Sequence, residues 1–156
     1  MLDDVKYVTK NTYEQLVKRF KPRKGDVLLT KGGTTGFAKH VDFEWDFAIW
    51  VHLACLRLND RIHPEFLEAV LNSPNVYLQS QKYTRGIANK DLGLTRVVKI
   101  EFALPPLNLQ EKYISINKAI SKQKSKLKSS TIEYEYLFNS LMQNAFNGKL
   151  NLTKAA

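Results

Sequence analysis

The pattern of apolar and polar positions breaks at Ala103–Gln110, "ALPPLNLQ". Before the break, short apolar runs alternate with turns; after it no proline occurs and the only glycine is Gly148. Ahead of the break, "TYEQLVKRF" predicts a helix with Thr12 as N-cap, Gln15 completing a capping box, and Leu16, Val17 and Phe20 on one face before Pro22. "DVLLTK" and "FAIWVHLACLRL" predict strands. "HPEFLEAVLNSP" predicts a short helix opened by Pro64, with Phe66, Leu67, Val70 and Leu71 on its apolar side and Pro74 beyond its end. "LTRVVKIEFAL" predicts a return to strand. Between the first two strands, the adjacent Gly32 and Gly33 predict a hairpin turn that needs positive φ angles.

Beyond Pro105 and Pro106, which cannot lie inside a helix but suit its start, one helix is predicted from about Asn108 to Phe146. A heptad frame fits it. The a positions are Tyr113, Ile120, Leu127, Tyr134 and Leu141, and the d positions are Ile116, Gln123, Ser130, Leu137 and Asn144. The stripe is apolar towards its ends and polar in the middle. A rod of this length, roughly 57 Å at 1.5 Å per residue, is too long to bury its stripe on the preceding domain and calls for a partner helix. The expected fold class is α+β: a mixed globular domain over residues 1–107, a long coiled-coil-forming C-terminal helix over 108–147, and a tail over 148–156.

Composition narrows the class of partner. The 24 Lys and Arg outweigh 15 Asp and Glu, giving a net charge of +9, which favours a polyanion. The excess is shared between the two regions. No apolar run reaches the ~20 residues of a membrane span. The N-terminus lacks the basic-then-apolar order of a signal peptide. The single cysteine, Cys55, lies in an apolar run and suits a reducing compartment, so a cytoplasmic location is expected.

Motifs for chemistry are tested next, and each fails. A P-loop needs Lys and a hydroxyl after its last glycine, but Gly36 is followed by Phe37 and Ala38. "LPPL" at Leu104–Leu107 lacks the polar residue and the aromatic of an amino-methyltransferase motif. Asp42, Glu44 and Asp46 alternate with Phe43, Trp45 and Phe47, which suits a strand with one wet face better than a metal site. His40, His52 and His63 have no ligand spacing. No catalytic residue, metal or cofactor is expected, and the chain alone is not expected to be an enzyme.

Binding features are clearer. "KRFKPRKGD" carries Lys21, Arg23 and Lys24 as candidate phosphate contacts. Lys31, Thr34, Thr35 and Lys39 in the glycine loop, and Tyr83, Arg85, Asn89 and Lys90 in "QKYTRGIANK", are candidate DNA-binding residues by side-chain chemistry and loop position. Lys118, Lys122, Lys124, Lys126 and Lys128 surround the rod as a solvated face, with phosphate contact as the second reading.

Five stretches occur in a familiar order: "KGDVLLTKGGTTGFAK", "IHPEFLEAVLNSP", "GIANKDL", "VVKIEFALPPLNLQEK" and "LFNSLMQNAFNGKL". Over residues 25–150 the chain resembles the specificity (S) subunits of type I restriction-modification systems. The resemblance implies a target recognition domain that reads one half of a split double-stranded DNA site. It also implies a helix that pairs with a counterpart and fixes half-site spacing, through Tyr113, Ile116, Ile120, Leu127, Tyr134, Leu137 and Leu141. Catalysis would belong to methyltransferase (M) subunits and, through them, a restriction (R) subunit. A complete S subunit has two recognition domains and two helices, whereas this chain has one of each, so self-association or pairing with another S subunit is expected. The family's Glu-Gln after the Pro-Pro joint is Leu109-Gln110 here, which predicts a weakened contact at the helix start. The alternative is a truncated S-like interaction protein that binds a full S or M subunit and modulates it. An autonomous metal-dependent nuclease is a distant third reading.

Overall fold

The computed structural model describes residues 6–149. The expected tail lies outside the described residues from position 150 onward. The chain divides into two compact units, one ending at Tyr113 and the other beginning at Ile114.

The first unit is built on a three-stranded antiparallel sheet of β1 (Val27–Thr30), β2 (Ala38–His40) and β3 (Leu53–Leu56), in the order β2-β1-β3. The "VLLT" run alternates as a strand should, with Val27 and Leu29 buried and Leu28 and Thr30 only partly covered. The central strand pairs Val27 with His40 on one side and with Leu56 on the other. Helices α2 (Pro64–Leu71) and α3 (Pro74–Tyr83) each begin with a proline, where the missing N–H costs no helical bond. Leu67 and Leu71 from α2 and Val76 from α3 join Val27, Leu29, Ala38, Ala54 and Leu92 in the core. α2 also covers the edge of β2. The Asn72 carboxamide accepts from Ala38 N (2.9 Å) and donates to Ala38 O (2.8 Å), acting as a strand partner on an edge that would otherwise stay open. Glu68 accepts from His40 N at 2.9 Å and from the Lys39 ammonium, and it pairs with His40 Nδ1.

Four local expectations are corrected. The first helix, α1 (Lys10–Val17), starts earlier than read: Thr9, not Thr12, is the N-cap, and Thr12 N donates to the Thr9 hydroxyl. None of its residues is buried, so Leu16 and Val17 do not form a core face there, and Phe20 instead stacks on the Arg57 guanidinium at 4.4 Å. "FAIWVHLACLRL" is a strand only over its second half. β1 is four residues long, and beyond its end His52 O is taken by Lys31 N and Gly32 N, so Trp50 and Val51 sit exposed in a turn. Asp42–Phe47 is not a strand, although the alternation persists: the Phe43 ring packs on Trp45 (4.5 Å) and Phe47 (5.1 Å), while Glu44 and Asp46 face lysines. "LTRVVKIEFAL" holds no strand but opens with the short helix α4 (Leu94–Val97). Its apolar residues at 94, 97 and 98 suit a helical turn, and Gly93, at φ 57°, swings the chain into it.

The predicted long helix is present as α5 (Leu107–Phe146), 40 residues and roughly 60 Å. Among the described residues no helix is long and apolar enough to cross a membrane. The first turns of α5 belong to the first unit. There Gln110 is fully buried: its Oε1 accepts from His63 N (2.9 Å), and its Nε2 donates to Arg61 O (3.0 Å) and Pro105 O (2.8 Å). Tyr113 meets Phe66 of α2 edge-on, with ring centroids 5.7 Å apart. The helix-start contact expected to be weakened by Leu109 is made by Gln110, and Leu109 itself is exposed.

In the second unit, Ile116, Ile120, Leu127, Tyr134, Leu137 and Leu141 are all exposed. From Ile132 onward, Tyr134, Tyr136, Leu137, Phe138, Leu141, Met142 and Phe146 are exposed as well. At about 100° per residue these spread over roughly 260° of the circumference, leaving a polar sector at Glu133, Ser140 and Asn144, whereas Ile116, Ile120 and Leu127 form one narrow stripe.

Replacing Gln110 by alanine strands His63 N–H and two carbonyls in a dry site. We expect Gln110→Ala to lower unfolding stability by about 3 kcal/mol, read from the urea midpoint at pH 7.

Candidate nucleic-acid interface

Two loops form one surface. The first, residues 31–37, joins β1 to β2; the second, residues 84–93, joins α3 to α4. Their backbones are stitched together: Gly33 N donates to Lys90 O (2.9 Å), Leu92 N donates to Lys31 O (2.7 Å), and Gly32 bridges to Asp91. Within the second loop, Arg85 N donates to Asp91 O (2.9 Å) and Asp91 N to Arg85 O (2.8 Å), closing it at its base. The Arg96 guanidinium locks that base from below, donating to Leu92 O (2.9 Å), Asp91 O (3.0 Å) and the Asp91 carboxylate (2.6 Å).

Glycines permit these turns. Gly86 has φ 90° with the Asn89 carbonyl packed where a Cβ would stand, and Gly36 has φ 94° with Ser80 of α3 against it. The glycine loop is thus a hairpin connection, as expected, although seven residues long rather than tight, and Gly32 itself has no positive φ.

The candidate residues fall into three groups. Lys31, Thr34, Arg85, Asn89 and Lys90 lie on the joined loops, and among the described residues Lys31, Arg85 and Lys90 have no carboxylate partner. Thr35, Tyr83 and Lys39 serve the fold. Thr35 is 2% exposed, shares a hydrogen bond with Thr84 (2.8 Å), and its carbonyl accepts from Gln81 Nε2 (2.8 Å). Tyr83 packs against the core, and Lys39 is paired with Glu68 at 3.1 Å.

The third group, Lys21, Arg23 and Lys24, lies on the segment leading into β1. Lys21 pairs with Asp46 and Lys24 with Glu44, each at 2.7 Å, and both ammonium groups are held above their ordinary pKa by those carboxylates. Arg23 is exposed, and its backbone N–H donates to the Asp26 carboxylate (2.9 Å).

Asp26 organises this segment. Its carboxylate is 2% exposed and receives Arg57 Nε (3.0 Å) and Nη2 (2.8 Å), and Arg57 Nη2 also donates to Lys21 O (2.9 Å). Burial pushes the carboxyl up, but Arg57 and the Arg23 N–H outweigh it and hold Asp26 below its ordinary value. The neighbouring Cys55 thiol is pushed up to about 12 by burial and by the Asp26 charge, which makes it a poor nucleophile. Among the described residues no group of three His, Cys, Asp or Glu could hold a metal ion.

Sequence reasoning missed the supports: Gln81, Thr84, Asp91, Arg96 and the His52 carbonyl. Only the nearness of Asp91 to Arg96 along the chain hinted at one of them.

A pair of loops joined backbone to backbone on a small α+β domain, followed by a long helix, defines the class of fold. The family model for the type I restriction modification DNA specificity domain matches residues 4–136, and the chain belongs to that family. A solved chain described under "Structural basis underlying complex assembly and conformational transition of the type I R-M system" shares its fold, with a TM-score of 0.62 and 23% identity over 83% of this chain. This chain covers 32% of that one, about a third of its length. No curated protein matches it in sequence.

The depressed acidity of Asp26 carries a pH prediction. The carboxyl titrates lower in the folded state than its ordinary 3.8, so the stability it contributes is fully present well above pH 3.8 and is lost as pH falls through the folded value. We expect urea midpoints of the parent protein to drop steeply below about pH 4, and those of Asp26→Asn to drop less over the same interval.

Proposed function

We propose that this chain is a DNA-reading half of a type I modification complex. Residues 1–107 act as the recognition domain, 108–147 as the pairing and spacing helix, and 148–156 as a tail. The observation that carries this reading is the single stiff surface made by the two loops. It presents Lys31, Arg85 and Lys90 unpaired by any described carboxylate, with Thr34 and Asn89 beside them. Cations hold phosphates, while Asn, Thr and Arg side chains match base edges in the major groove.

The helix has the second role. Its exposed stripe at Ile116, Ile120 and Leu127 suits one partner helix, supplied by a second copy or another S subunit. The broad apolar arc from Ile132 to Phe146 is wider than one helix covers and suits M subunits docking there as well. Methylation of the DNA, and its cleavage through R subunits, belongs to those partners; this chain supplies no catalytic group. Two copies paired by a two-fold axis would read a palindromic split site. The second reading, an S-like interaction protein that captures a full S or M subunit, is favoured by the same exposed helix.

Co-expression with the cognate M subunit, followed by mapping of methylated adenines on plasmid DNA, tests the two readings. A bipartite motif, palindromic if two copies assemble, is expected. Co-purification of the proteins without methylation would favour the capture role. Salt titrations separate the basic groups. We expect Lys31→Ala and Lys90→Ala each to lower the slope of log K against log salt by about 0.9, the value for one phosphate contact. Lys21→Ala and Lys24→Ala should change it less, because their carboxylate partners already neutralise them.

A further inference from the structure

Ile87 is 99% exposed, in a loop closed at its base by backbone hydrogen bonds. The loop is closed by the paired Arg85 and Asp91, tied to the glycine loop through Lys90 O and Lys31 O, and locked by Arg96. An isolated apolar side chain on a surface is ordinary. This one differs in its setting. It stands at the tip of a braced loop, with Gly86 and Ala88 beside it and the cations Arg85 and Lys90 on either flank. Neither neighbour offers bulk to cover it. The charges flanking it favour an anionic partner, while the tip favours an apolar patch on that partner.

Double-stranded DNA meets both requirements in one place. Along the edges of the bases in the major groove, the apolar group is the 5-methyl of thymine, and phosphates line the groove on both sides. We propose that Ile87 reads the 5-methyl group of a thymine in the half-site, while Arg85 and Lys90 hold the flanking phosphates. This assignment rests on the DNA-reading role proposed above and adds to it a specificity-determining contact that hydrogen-bonding chemistry alone would overlook. The closed base of the loop matters here, because it limits the number of residues, 86 to 89, that binding must order.

The test uses the complex with its M subunit and the site recovered from methylation mapping. Duplexes are prepared in which each thymine of the half-site is replaced in turn by deoxyuridine, which removes only the methyl group. For the parent complex, one replacement should weaken binding roughly three- to fivefold, the effect of losing one buried methyl. For Ile87→Ala the same replacement should change nothing, and its affinity for the unmodified site should match that of the parent for the deoxyuridine duplex. Because the side chain touches solvent on every side, the variant keeps its fold, which its unfolding midpoint checks. Specific binding that is indifferent to deoxyuridine at every thymine overturns the assignment, as does a half-site without thymine or an equal loss in Ile87→Ala. A complex that binds all duplexes alike overturns the DNA-reading role itself, and the two failures are thereby told apart.

Discussion

One buried carboxamide governs how the long helix begins. The Gln110 side chain supplies an acceptor to His63 N and two donors to the carbonyls of Arg61 and Pro105, in a site with no access to water. The arrangement needs an amide. A carboxylate has acceptors only and would face two carbonyl oxygens, and an ammonium would face the His63 N–H. The paired prolines explain why the site exists. Neither Pro105 nor Pro106 has an N–H to give, so the chain there offers carbonyls: Pro106 O serves the first helical amides of α5, and Pro105 O is left for the side chain. The same glutamine connects residues 61–63, just ahead of α2, to the first turn of α5. Helix α2 in turn closes the edge of the sheet through Asn72 and Glu68. The helix start, the covering helix and the sheet edge are therefore one hydrogen-bonded unit.

The same economy marks the loops. Neither has a core of its own, and each borrows its shape from the other through backbone bonds and from α3 through Thr84 and Gln81. Thr35, Thr84 and Gln81 hold the loops' shape, the Arg85 guanidinium adds bonds to the Lys82 and Thr84 carbonyls, and the basic groups divide by whether a carboxylate meets them. That division separates Lys31, Arg85 and Lys90, without described carboxylate partners, from Lys21, Lys24 and Lys39, which are engaged. Net charge alone does not distinguish the two sets. A lysine held by a carboxylate must give up that partner before it can hold a phosphate, so it contributes less to binding a polyanion than its formal charge suggests.

Elements with strong local determinants were legible in the sequence. The proline-started α2, the glycine turn after β1 and the full length of α5 follow from capping, turn chemistry and periodicity, whereas the three-residue β2 carries no strand signal of its own. The misread pieces share a cause. "FAIWVHLACLRL" and "LTRVVKIEFAL" are apolar enough for strands, but a strand needs a neighbour, and β1 is too short to pair with more than four residues of the first. The second is diverted by Gly93 and by Arg96 reaching back to Asp91, a tertiary clamp with no periodicity to reveal it. Helix α3 is not legible because Pro74, which suits the stop of one helix, is the start of the next. For the site, residue chemistry located the loops, but burial decided which residues face outward. Thr35 and Thr34 are adjacent and chemically alike, yet only Thr34 is exposed. Ile87 makes no side-chain hydrogen bond, so polar residue chemistry does not mark it.

The two segments of α5 present different surfaces to potential partners, and the difference follows from elementary geometry. Up to Leu127 the exposed apolar residues fall on one stripe, which a single helix can cover while the lysines from Lys118 to Lys128 remain in water. From Ile132 the exposed apolar residues spread over about 260°, with a polar sector at Glu133, Ser140 and Asn144, so the band is wider than one partner helix covers. A homodimeric pairing alone would satisfy the first segment and leave the second partly bare. On the reading proposed above, the narrow stripe suits a single partner helix and the wider band a broader surface, so the two would occupy different stretches of one rod.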